Sequence, residues 1–247
     1  MKEAFHVYVE ATPKRAFASA IEWPGWSRGG RTEEAALESL VAYGPRYAPV
    51  ATRARVRFTP PAHLSGLVVV ERLNGGASTD FGVPSLPASD DGSPIDPVAA
   101  RRLIALLQAS WDTFDDIASS AVGVELRKGP RGGGRDLDKI AGHVFQAESS
   151  YLVQLGAKRL RLEAYDVAAG WSTLRHAEVE AFGVLARGEP LAQANRVKSP
   201  WSPRYFVRRA AWHVLDHAWE IEDRVILPVD RWGELSLTGE PTPRSGE

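Results

Sequence analysis

The segment Trp212-His213-Val214-Leu215-Asp216-His217 carries two histidines four residues apart. On a helix that spacing stacks the rings on one face, one turn apart, where both can chelate a single ion. His213 precedes Val214 and His217 precedes Ala218, so both border an apolar stripe at positions 207, 211, 214, 218, 221 and 225. Such a pair also occurs at the edge of ordinary cores, and a third ligand decides the matter. His143 flanks Val144 and follows Ile140 by three residues on a second periodic segment, which puts it at the edge of that segment's buried face. In an up-and-down arrangement of helices it can meet the pair. Three neutral imidazoles leave coordination positions open for water or a substrate atom, the pattern of a catalytic ion and not of a closed structural site. Glu220 and Asp216 stand near enough to receive a ring N–H or add a contact; plain solvated charge is the alternative reading for both.

Candidate site residues elsewhere are fewer. Arg131-Gly-Gly-Gly-Arg135 lies directly before the His143 segment, where exposed backbone N–H groups and a helix dipole favour an anion. Arg131, Arg135 and Glu220 are thus the candidates for catalytic roles, with a solvated connector as the alternative for the two arginines. His6 reads as strand surface, His63 as loop, and His176 as a helix-surface residue, with a place lining the pocket as its other option. Thr79-Asp80-Phe81-Gly82-Val83-Pro84 reads as a brace, with a lid over the metal site as the other option. Trp201, Tyr205 and Trp212 can wall a pocket or simply pack in the core.

The composition narrows the chemistry. The 247 residues include 6 histidines and no cysteine, which excludes disulfides, thiolate metal sites and cysteine nucleophiles. A formal net charge of -1 gives no bulk positive field for nucleic acid or anionic lipid. The first residues lack an apolar signal region and no run approaches the roughly 20 apolar residues of a membrane span. The expectation is a cytoplasmic protein with a small-molecule substrate and neither nucleic-acid nor membrane partners.

The elements that must position these residues follow from periodicity. Residues 4 to 22 alternate around a Thr12-Pro13-Lys14 turn and predict a hairpin. Thr32 caps a helix that Glu33 and Glu34 favour at its first turn and that Gly44-Pro45 should end. Residues 54 to 59 alternate as a strand, and Gly66 to Leu73 reads as a buried strand. Residues 74 to 97, rich in Gly, Ser, Asp and Pro, read as a connection. Thereafter a 3.6-residue period predicts helices on Ala100-Leu103-Leu107-Trp111-Phe114-Ile117, on Leu137-Ile140-Val144-Ala147-Tyr151-Leu155, on 173 to 185, and on the segment of the histidine pair. The expected class is α+β: residues 1–90 a small α+β domain with its linker, 91–228 a metal-binding four-helix bundle, and 229–247 a loosely packed tail.

The two histidine segments, Leu-Asp-Lys-Ile-Ala-Gly-His143-Val-Phe-Gln-Ala-Glu and His213-x-x-x-His217-Ala-Trp-Glu220, resemble the DinB-like superfamily, which includes mycothiol-dependent maleylpyruvate isomerases. The resemblance covers about residues 94 to 227. It implies a four-helix bundle with a three-ligand metal site, zinc or nickel above all, held by His143, His213 and His217. It also implies a low-molecular-weight thiol cosubstrate, and a homodimer as in many members. The implied activity is a thiol-dependent transferase or isomerase, or a hydrolase; the competing reading is a non-catalytic metal scaffold or sensor. Residues Ala20-Ile21-Glu22-Trp23-Pro24-Gly25 and Gly29-Gly30-Arg31-Thr32 resemble a HicB-like antitoxin module. Trp26 stands where that family often has cysteine, and no DNA-binding module follows, so the resemblance implies a fold unit in another use, such as docking a protein partner.

Overall fold

The computed structural model describes residues 4–128, 136–160, 167–192 and 197–226. It is a mixed α+β structure. Strands β1 (Phe5–Ala11) and β2 (Ala16–Ala20) form the expected antiparallel hairpin, with Val7 opposite Ala20 and Val9 opposite Ala18. A third strand, β3 (Ser27–Gly30), pairs antiparallel to β2; its Ser-Arg-Gly-Gly sequence carries no strand signal. Helix α1 (Glu33–Arg53) begins at Thr32, whose side chain accepts a hydrogen bond from the Ala35 N–H.

Gly44-Pro45 does not end α1: the helix runs through Pro45 and Pro49 to Arg53. Each proline costs a helix about 3 kcal/mol in isolation. Here Tyr47, Val50 and Ala51 beyond the break are fully buried, and the Tyr47 hydroxyl donates to the Pro24 carbonyl at 2.8 Å, so burial outweighs propensity. Residues 54 to 59 form no strand. Their alternation instead drops Phe58 among Phe5, Trp23 and Trp26, with ring centroids 4.6 to 5.5 Å apart.

Strand β4 (Leu67–Asn74) lies parallel to β1 and completes the order β3-β2-β1-β4. It is the sheet's edge and not a strand buried on both faces, which is why Val68 and Val70 remain 42% and 52% exposed. The connection after it holds a short helix, α2 (Ala77–Phe81), and is fastened from below by buried Glu10. That carboxylate accepts hydrogen bonds from the Thr79 hydroxyl and from the N–H groups of Ser85 (2.8 Å) and Leu86 (2.9 Å).

Four long helices follow: α3 (Pro97–Ser120), α4 (Leu137–Gln154), α5 (Val167–Ala186) and α6 (Pro203–Arg224). Asp96 and Ser202 cap α3 and α6, each with proline in the first turn. α3 packs along α6, and α4 packs on α5 and α6. α6 is buried on nearly every side, because the sheet unit covers the face that the helices leave bare: Gly25 meets Leu215, Arg28 pairs with Asp216, and Arg208 pairs with Asp91 at 2.6 Å. One hydrophobic cluster runs from Phe5 in β1 to Ile221 in α6. Among the described residues no helix is long and apolar enough to cross a membrane. Residues 131–135 and the tail 229–247 lie outside the described residues.

Candidate metal centre

Helical spacing and helix packing together build the site. His213 and His217 stand one turn apart on α6, and His143 reaches them from α4, whose Ile140 and Val144 are fully buried beside it. The ring centroids form a nearly equilateral triangle: 5.1 Å between His143 and His213, 5.0 Å between His143 and His217, and 4.7 Å between His213 and His217. One ring nitrogen from each residue lies within 4.8 Å of the others, so the three could hold a metal ion.

The Nε2 atoms of His143 and His213 are 3.3 Å apart. Two nitrogens bound at about 2.0–2.1 Å with a tetrahedral angle between them would stand about 3.3 Å apart. His217 presents its other nitrogen to the group because Nδ1 is engaged at 2.8 Å by Glu220 Oε2. Comparison with family models, characterised proteins and solved structures gives no match to the chain.

Glu220 is therefore neither a fourth ligand nor simple solvated charge. It orients His217 and is itself gripped by Arg224, whose Nη1 lies 2.7 Å from Oε1; the bond with His217 is the chief cause holding its carboxyl below the usual range. Asp216 turns the other way and pairs with Arg28 at 3.0 Å. His213 is the most enclosed of the three, only 6% exposed, with the Tyr151 ring 5.7 Å away and Trp201 and Tyr205 packed behind it. That aromatic group is core packing beside the site.

The remaining candidates separate from it. Arg131 and Arg135 lie outside the described residues. His6 is an exposed strand residue 3.1 Å from Glu22, and His63 is exposed before a short turn. His176 is exposed on α5, 3.6 Å from Glu180, and it lines a cavity of about 850 Å³ between α3 and α5 with Trp111, Trp171 and Arg175. The clustered histidines do not line that cavity. Thr79 and Asp80 are held by Glu10, Thr12 and Lys14, as a brace would be.

Sequence reasoning missed two buried carboxylates. Glu148 on α4 and Glu178 on α5 are both fully buried. The Trp111 indole N–H donates to Glu148, while Oε2 of Glu148 and both oxygens of Glu178 find no hydrogen-bond donor among the described residues. Burial pushes the Glu148 carboxyl up to about 7 against the pull of Arg175, and burial plus the neighbouring Glu148 raises Glu178 well above the ordinary range. The signal was available: Glu148 follows Val144 by four residues and Glu178 follows Leu174 by four, each at core spacing. On α4 it is Glu148, not Ala147, that completes the buried face.

Proposed function

We propose that this protein is a metal-dependent enzyme of the DinB-like type, in which α3 to α6 form the four-helix bundle and His143, His213 and His217 hold one divalent ion, zinc or nickel. The histidine triangle carries the reading. Three imidazoles from two helices suit either metal, and among the described residues no further histidine or carboxylate joins the cluster. A bound ion would supply Lewis acidity, lowering the pKa of a coordinated water or thiol and polarising a substrate oxygen.

The chain's own groups do the positioning. Glu220 fixes the His217 tautomer by accepting from Nδ1, and Arg224 keeps that carboxylate charged and in place. Burial of His213 beside Tyr151 thins the solvent on one side of the triangle, which strengthens electrostatic effects there. With no cysteine in the chain, a low-molecular-weight thiol cosubstrate would supply the sulfur nucleophile for a transferase or isomerase reaction. Arg131 and Arg135, just upstream of α4, are the candidates to orient an anionic substrate.

The test is elemental analysis of tag-free protein followed by turnover screens with thiol cosubstrates. One equivalent of metal and activity lost in His213→Ala support the proposal. Stoichiometric metal with no turnover favours a metal-binding scaffold or sensor, and absence of metal from protein purified in metal-replete medium removes the basis for either.

A further inference from the structure

About 100° round α6 from the histidines, the positions 212 and 216 face a different feature. Trp212 and Asp216 line a cleft of about 360 Å³ whose other walls are the β1–β2 turn, β2 and β3, with Lys14, Arg15, Phe17, Arg28 and Arg31 among them. This volume falls in the range of small-molecule sites, about 300–1,000 Å³. Four cations line it against the single acid Asp216, in a chain whose 30 basic and 31 acidic residues nearly balance. The positive charge is thus local to the cleft.

Not all of that charge is used by the protein. Lys14 pairs with Asp80 at 3.3 Å and Arg28 with Asp216 at 3.0 Å. Among the described residues Arg15 and Arg31 form no ion pair. Two residues that line it also carry buried donors with no acceptor among the described residues: Nε of Arg28 and Nε1 of Trp212, a residue only 5% exposed. Burying a donor without an acceptor costs about 1–3 kcal/mol, so the residues that wall this cleft are held there at some cost to stability. The Arg28 guanidinium is meanwhile held over the Tyr43 ring, 3.8 Å from its centroid, which restricts its direction in advance.

We propose that this cleft binds a small molecule bearing two or more oxyanion charges, phosphate or carboxylate, through Arg15, Arg28 and Arg31. Guanidinium groups match both oxyanions by paired N–H donors, and a concave lining of one predominant sign of charge raises the local concentration of an anion. The site does not require a metal, and it stands whether or not the histidine triangle is catalytic.

Calorimetric titration of the full chain with inorganic pyrophosphate and, separately, with citrate tests it. Saturable binding of at least one anion at one site per chain is expected, weakening as sodium chloride is raised. Binding of pyrophosphate alone identifies a phosphate site, and of citrate alone a carboxylate site. The double variant Arg15→Ala/Arg31→Ala removes two cations that no ion pair engages, so it should keep the wild-type melting temperature while losing at least about tenfold in affinity. His213→Ala should bind as wild type does. Binding of neither anion, equal binding by the double variant, or binding that disappears with the His213 ring would each overturn the proposal.

Discussion

The Nδ1 atom of His217 lies 2.8 Å from Oε2 of Glu220, and the other oxygen of that carboxylate lies 2.7 Å from Arg224. All three residues belong to α6, at spacings of three and four, so one helix supplies a candidate ligand, the group that orients it and the cation that steadies the group. This relay leads directly to a measurement. Glu220→Gln keeps the shape but weakens the acceptor, and should lower zinc or nickel affinity by about 10- to 100-fold in competition with a chromophoric chelator. An unchanged affinity would show that Glu220 merely pairs with Arg224.

Metal binding should also register as stability. A ligand at 100 times its Kd stabilises the folded state by about 2.7 kcal/mol, so added zinc or nickel should raise the melting temperature of wild-type protein. His143→Ala should abolish that rise, since it removes the α4 member of the proposed ligand set and leaves only the α6 pair. A variant that still gained the full shift would place the ion somewhere else.

Glu148 and Glu178 predict a distinct pH dependence. Burial raises Glu148 from 4.5 to about 7, so between those values the folded chain holds a proton that the unfolded chain has released. The Glu148 contribution to stability is therefore most favourable at low pH, declines as pH rises from about 4.5 to about 7, and stays low above that; Glu178, raised by burial and by Glu148, acts in the same direction. Glu178→Gln removes one of the two buried ionisable groups and should stabilise the protein at pH 8 by on the order of 1–3 kcal/mol, with little gain at pH 4. Urea midpoints at the two pH values check this, and a gain equal at both would rule out the burial of an ionisable carboxyl as the cause.

Gly25 joins the sheet unit to α6. Its φ of 93° lies in the left-handed region, and a Cβ there would come within 2.6 Å of Leu215 Cδ1. Gly25→Ala should cost roughly 2 kcal/mol or more, through backbone strain and the displaced leucine together, as read from denaturant unfolding. A neutral result would mean that this junction yields easily.

Much of the candidate site was legible before the fold. The i, i+4 rings of His213 and His217 and the cap at Thr32 are local features, and local features follow from helical geometry and the hydrogen-bonding habits of side chains. His143 could be named as a third ligand because its place beside Val144 fixes which edge of α4 it occupies. The amphipathic periods likewise located α3, α4 and α6, while α5 runs six residues earlier than its 173–185 pattern.

What tertiary structure decided was everything that depends on a partner distant in sequence. Pro45 and Pro49 sit inside α1 because packing of Tyr47 and Val50 outweighs a local penalty. Phe58 packs against the core without a strand, and polar Ser27-Arg-Gly-Gly30 becomes a strand because β2 offers it a ladder. The 3.3 Å between the Nε2 atoms of His143 and His213, the seclusion of Glu148 and Glu178, and the cationic cleft all arise where chain segments far apart meet. Sequence spacing sets which face of an element a residue occupies; only packing sets what that face meets.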